Sequence, residues 1–150
     1  MPKTLSQSEP GEKFVTPTKV ITQTDEELFC VTTENKLAIF LTDAAAQTKG
    51  WDKRIVPGAL TFSVSIGLME SSGILDDVLA FLGTDELRFL APVYIGDTLH
   101  VEVELLEKRL TKAGDRGTVR YRWQTINQNG KEVARGINTC MFKVGFFNPS

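Results

Sequence analysis

The chain of 150 residues contains one histidine, His100, and two cysteines, Cys30 and Cys140. One imidazole cannot build a His-rich metal site or a histidine relay, and no HExxH motif is present. No metal and no cofactor are expected. His100 falls on the polar face of an alternating segment, where a solvated side chain is the default and a general base reached from another subunit is the alternative. The cysteines, far apart in sequence, are expected to be buried free thiols in a reducing, cytoplasmic setting. Among the acids, Glu70 stands out because it interrupts a long apolar stretch (ALTFSVSIGLMESS, 59–72). It reads as the exposed end of a helix beside Ser71, Ser72 and Gly73, or as a base. Asp76-Asp77 and Asp85-Glu86 have no metal-ligand company and read as solvated turns.

These residues need elements to position them. Residues 1 to about 13 carry Pro2, Ser6, Ser8, Pro10 and Gly11 without periodicity and are expected to form a flexible N-terminal arm, with a single domain over 14–150. KFVTPTKVIT (13–22) alternates as a strand, with Pro17 favouring an edge. Thr24 is expected to cap a helix with Glu27 three residues on. Thr42 is expected to cap a second helix over 42–48, ending near Gly50. From Ala59 to Ser72 apolar residues occur nearly all round, which predicts a helix wrapped by other structure.

Strand signals follow at 77–83, 86–93, 98–109, 118–126 and 131–144. Leu99, Val101, Val103 and Leu105 point inward by alternation, and His100, Glu102 and Glu104 outward. Val119, Tyr121 and Trp123 alternate likewise against Arg120, Arg122 and Gln124, and NQNG (127–130) predicts a hairpin turn. The order implies a long antiparallel meander around one apolar helix, an α+β architecture.

Lysine plus arginine number 17 against 19 acids, a formal charge of −2. This gives no electrostatic footprint for nucleic acid or an anionic membrane. No apolar run approaches the roughly 18 residues of a membrane span, and the first residues lack the apolar region of a signal peptide.

Three segments carry a resemblance: DEELFCVTTEN (25–35), RIVPGALTFSVSIGL (54–68) and LRFLAPVYIGDTLHVEVEL (87–105). Together they resemble the MaoC-like dehydratase family, which includes (R)-specific enoyl-CoA hydratases. FLAPVYIGDTL is the most specific piece. The resemblance spans about residues 13–144. It implies a hotdog fold, a curved antiparallel sheet around a long central helix, usually dimerised into one continuous sheet.

The family's site has an aspartate, then Asn-Pro, then a histidine five residues after the aspartate. A His-Gly pair further on opens the central helix. The resemblance implies that aspartate and histidine handle the proton of a water added across an α,β-unsaturated thioester. The glycine N–H would stabilise the enolate oxygen. Counted back from Gly58 without a gap, the histidine position holds Phe40, the aspartate position Asn35, the Asn-Pro positions Leu37-Ala38, and the second histidine position Pro57. Phenylalanine transfers no proton and asparagine has no titratable group. Glu34 and Asp43 lie near these positions, but neither replaces an imidazole.

The resemblance, with these departures from its pattern, therefore implies an acyl-thioester-binding member of the family, non-catalytic or partner-dependent. Asn35 and Phe40 stand at inactive catalytic positions, or are an ordinary loop residue and a core aromatic; Gly58 is expected as the oxyanion donor, or as a helix entry after Pro57. Substrate is expected at Pro57, Gly58, Arg54 and Lys53, the last two, with Lys49, facing CoA phosphates or forming a charged surface loop. Lys108, Arg109 and Lys112 carry the same ambiguity. The ligand would be an acyl-CoA or acyl-carrier-protein thioester. The assembly would be a homodimer or a heteromer with an active MaoC-like paralogue. Two alternatives remain: a stand-alone acyl-CoA binding module, or a hotdog thioesterase using Glu70, since some hotdog thioesterases place an acid on the central helix.

Overall fold

The all-round apolar character of the segment after Pro57-Gly58 yields the helix about which the other elements are arranged. The computed structural model describes residues 3–144. In chain order the elements are β1 (Lys13–Val15), β2 (Lys19–Val20), α1 (Gln23–Thr33), α2 (Ala38–Leu41), α3 (Asp43–Thr48), α4 (Gly58–Ser71), β3 (Val78–Phe89), β4 (Thr98–Leu110), β5 (Arg116–Ile126) and β6 (Glu132–Lys143). The antiparallel sheet runs β1-β4-β5-β6-β3, with β2 also on β4. Helix α4 packs on one face, giving the expected α+β arrangement of a sheet curved around a helix.

The alternation in β4 and β5 works as read. Leu99, Val101, Val103 and Leu105 are buried, as are Val119, Tyr121 and Trp123. All but Leu99 meet Leu68 and Met69 of α4 in the larger core cluster. Each such aliphatic side chain contributes roughly 1.5–3 kcal/mol by leaving water. A second cluster, Ile21, Val56, Leu60, Val93, Leu99 and Val133, gathers at the N-terminal end of α4. It fixes the backbone on either side of Gly58.

The strand order departs from a simple meander. β3 pairs with β6 rather than β4. The predicted segments 77–83 and 86–93 form one strand, Val78–Phe89, with register shifts around Gly83 and Glu86, the latter at φ 54°. β3 is an edge strand. Leu79, Phe81, Leu82 and Phe89 are exposed on it.

Several local expectations are also corrected. The cap of α1 is Thr22, not Thr24. Thr22 Oγ1 accepts from the Asp25 N–H at 3.1 Å, and the Asp25 carboxylate accepts from the Thr22 N–H at 2.9 Å. Ile21 is fully buried and its N–H donates to the Asp97 carbonyl, so the chain is already committed to turn at residue 22. The cap at Thr42 stands, its Oγ1 accepting from the Ala45 N–H at 3.1 Å. Residues 4–8 are not a free arm. Leu5 is 1% exposed, its N–H donates to the Ile74 carbonyl, and Thr4 and Ser6 hydroxyls donate to the buried Asp77 carboxylate. Lys108 Nζ donates to the Ser6 and Ser8 carbonyls. One apolar side chain with a carboxylate receptor is enough to dock the segment. Residues 1–2 and 145–150 of the expected arm and domain lie outside the described residues. Helix α4 is open on one side rather than wrapped all round: Ala59, Ser63 and Glu70 are exposed.

Both cysteines are buried and free. Burial pushes both thiols up from their ordinary value. Among the described residues, no helix is long and apolar enough to cross a membrane.

Candidate functional site at the entrance of the central helix

The site forms where three backbone segments are stitched together. The Ile55 N–H donates to the Ile39 carbonyl at 3.1 Å, which pins α2 to the approach to α4. The Val56 N–H donates to the Val93 carbonyl at 2.8 Å, and Ile55 bridges to Tyr94. Pro57 then serves as the N-cap of α4 and has no side chain to cap it. The first N–H groups of a helix have no intrahelical partner, and the dipole places partial positive charge there. The Leu60 and Thr61 N–H groups donate to the Pro57 carbonyl, which leaves those of Gly58 and Ala59 as the donors at the entrance of α4.

A cleft of about 350 Å³ opens at this point. Its walls come from α2 (Ile39, Phe40), Trp51, the approach to α4 (Ile55, Val56), Gly58 and Thr61, the end of β3 and its extension (Phe89 to Val93), and Val133. Phe40 and Gly58 thus share one cleft. Apart from backbone, the polar groups its lining residues carry are the Thr61 hydroxyl and the Trp51 indole N–H. None of the lining residues carries a carboxylate, imidazole or amine.

Phe89 decides how Gly58 can be used. A Cβ built at residue 58 would lie 3.1–3.2 Å from three atoms of the Phe89 ring. Contacts that short are seldom tolerated, so glycine here has a packing reason besides its backbone N–H. Phe89 itself is 50% exposed, so the ring has solvent into which to turn.

The other residues singled out in the sequence lie elsewhere. Asn35 is outside the cleft lining; its amide donates to Thr33 Oγ1 at 2.7 Å, just beyond the left-handed C-cap residue Glu34. Glu34 pairs with Lys36 at 3.1 Å. Glu70 sits in the last turn of α4, twelve residues from Gly58 and so about 18 Å along the helix. His100 lies on the outer face of β4, its Nε2 3.8 Å from Glu102. Lys53 is exposed, with Nζ 5.5 Å from the Tyr94 ring centroid.

Arg54 is occupied within the fold. Its Nη1 donates to the Leu41 carbonyl at 3.0 Å, and its backbone N–H donates to the Asp43 carboxylate at 3.0 Å. The guanidinium lies 3.8 Å from Glu26 and 3.6 Å from Glu27. It therefore ties α1 to the α2–α3 turn. Lys53 and Arg54 border a separate shallow cleft with Glu27, Thr42 and Asp43.

Glu26 is a first-turn acid of α1, a position where a carboxylate is ordinarily solvated and faces the helix dipole. In the fold it is fully buried, and neither carboxylate oxygen has a hydrogen-bond donor. Burial pushes its carboxyl up to about 7. Arg54 works against the rise, while Glu27 and Asp43 add to it. Trp51 and Phe89 also line the cleft without any sequence motif that marks them as site residues. Phe89 lies inside the motif LRFLAPV, but nothing local marks it as the residue that meets Gly58.

The model of the MaoC-like domain matches residues 6–127. The chain belongs to the MaoC-like domain family. It is similar to Protein MaoC of Klebsiella aerogenes, 28% identical over 106 residues, which is 71% of this chain. The chain spans about a third (31%) of that relative's length. Among solved structures it is similar to the R-hydratase PhaJ1 of Pseudomonas aeruginosa, at 28% identity and TM-score 0.69, covering 98% of this chain and 93% of that one. It also shares the fold of the double-hotdog protein Rv0216 of Mycobacterium tuberculosis, at 22% identity and TM-score 0.81, covering 98% of this chain and 46% of that one. The MaoC-like chain described here thus has the hotdog fold.

Proposed function

We propose that this chain binds an acyl thioester at the entrance of α4 and does not hydrate it unaided, its proton-handling groups being supplied by a partner subunit. The observation that carries this reading is the apolar lining of the Gly58 cleft, with Phe40 in the wall where the family pattern has a histidine. The apolar walls suit an acyl chain. The Gly58 N–H and the dipole of α4 suit a thioester oxygen, once the Phe89 ring turns aside. General acid–base groups typically contribute about 10²–10⁴-fold each, and this wall offers none. A polarised carbonyl without an ionisable neighbour would be held but not turned over.

The partner would be an intact family member, since a second copy of the chain would bring the same Asn35 and Phe40 to the site. The apolar edge strand β3 and the open side of α4 are the surfaces that support this. An exposed apolar edge is a pairing template that proteins ordinarily cover. The Glu70 thioesterase alternative gains no support, because Glu70 and Gly58 stand at opposite ends of α4 within one chain.

The test is reconstitution. The chain is co-expressed with an intact MaoC-like hydratase, and the purified complex is assayed with crotonyl-CoA. The reading expects a stable complex whose turnover or chain-length preference shifts when Phe40 or Phe89 is replaced by alanine in this chain. Acyl-CoA failing to bind both the isolated chain and the complex would overturn it.

A further inference from the structure

The outer face of the sheet, away from α4, carries charge in columns. β4 presents Glu102 and Glu104, whereas β5, β6 and β3 present arginines. On this face Arg135 of β6 stands directly opposite Arg88 of β3, and Gln124 of β5 stands directly opposite Arg135. Arg122, one step along β5, lies alongside. Together with Glu86 and the Gly136–Ile137 backbone, these side chains line one cleft of about 440 Å³.

Like charges directly opposite each other on neighbouring strands repel. The surroundings relieve this only in part. Arg122 Nη1 donates to Glu104 at 3.0 Å, which fixes its position. Arg135 has Glu132 at 3.9 Å. Arg88 makes no ion pair among the described residues; its Nη1 donates to the Leu87 carbonyl at 2.9 Å. Glu86 is the one carboxylate in the lining. The cleft lining thus holds three guanidiniums on paired strands and one acid, with Glu104 and Glu132 engaging Arg122 and Arg135 from outside it and Arg88 left without an ion pair among the described residues.

We infer that this cleft is an oxyanion site for a phosphate monoester, with Arg88 and Arg135 as its two jaws and Arg122 at its wall. Planar guanidiniums meet phosphate oxygens in paired hydrogen bonds, which lysine does not reproduce. An anion between Arg88 and Arg135 would turn a repulsive pair into a clamp. The site is separate from the Gly58 cleft. Arg88 and Phe89 are adjacent in sequence but face opposite sides of β3, since Phe89 pairs with the buried Ala134 and Arg88 with the exposed Arg135. Its test does not depend on the thioester reading.

The experiment titrates inorganic phosphate into the full chain by calorimetry and follows the melting temperature in parallel. The expected result is saturable binding that raises the melting temperature of the wild type. Arg88→Gln and Arg135→Gln should each weaken binding by about tenfold or more. Arg88→Lys should weaken it as well, since the fork is lost. Arg116→Gln, which lies off the cleft, should bind as wild type does. Without phosphate, Arg88→Gln should melt no lower than wild type, because it relieves repulsion. CoA and dephospho-CoA distinguish the source of the phosphate. If the ligand is the nucleotide 3′-phosphate, CoA binds more tightly than dephospho-CoA, and the difference disappears in Arg88→Gln; equal binding with phosphate still saturable identifies the free anion. Absence of saturable phosphate binding, or equal affinity in Arg88→Gln, Arg135→Gln and wild type, would overturn the inference.

Discussion

The Phe89 ring lies across the Cα of Gly58, close enough that a methyl group at residue 58 would sit 3.1–3.2 Å from the ring atoms. This contact joins the edge strand to the entrance of the central helix. Alanine is otherwise the better helix residue, by about 0.8–1.0 kcal/mol in a helix interior. Gly58→Ala should therefore destabilise the wild type or leave it unchanged, yet stabilise a Phe89→Ala background. A double-mutant cycle by urea denaturation measures the coupling, expected at about 0.5–3 kcal/mol. Additive effects would mean that the ring does not constrain residue 58.

Arg54 bridges the buried Glu26 to the Leu41 carbonyl and Asp43. Removing one partner of a buried pair costs about 3–5 kcal/mol when the survivor stays charged. Arg54→Met should approach that loss at pH 8 and lose less at pH 5, where Glu26 can take up a proton instead. Chemical denaturation at the two pH values checks it. Equal losses at both would show that Glu26 does not carry the penalty.

Glu26 also sets a slope of stability with pH. Its carboxyl is raised from an ordinary 4.5 to about 7, so between these values the folded chain holds a proton that the unfolded chain has released. Stability from this group is full below about pH 4.5 and is lost as pH rises through 7. Glu26→Gln should flatten the fall in melting temperature between pH 5 and 8. An unchanged slope would place the titration elsewhere.

How much of this was legible follows from how far apart in sequence the contacting residues lie. The alternation of Leu99 to Leu105 and of Val119 to Trp123 declares which face is buried, and the Thr42 cap and the left-handed Gly50 just past the Lys49 C-cap are likewise local. The α1 cap shows the limit of such signals. Thr22-Asp25 and Thr24-Glu27 both have capping-box spacing, and the choice falls to Ile21, anchored to Asp97. α2 was missed because KLAIFL carries no capping side chain. Phe40 and Gly58 were found from motif register, whereas Phe89 over Gly58 and Arg54 over Glu26 depend on tertiary approach that no local pattern encodes. The pairing of β3 with β6 is of the same kind.

The exposed apolar side chains of β3 predict self-association. Leu82 is 52% exposed and Leu79 43%, on an edge without a neighbouring strand among the described residues. Leu82→Lys should convert an oligomer to a monomer in light scattering while leaving the circular dichroism unchanged, since charge on an edge strand opposes pairing. A wild-type chain that is already monomeric at micromolar concentration would rule out β3 as the contact.

Turnover of crotonyl-CoA by the purified chain alone, followed through loss of the enoyl absorbance and set beside binding of a saturated acyl-CoA to the same sample, is the most direct measurement. Saturable acyl-CoA binding with hydration no faster than buffer is the predicted result. Hydration at a rate that survives repurification, and that falls when a titratable residue of this chain is replaced, would contradict it.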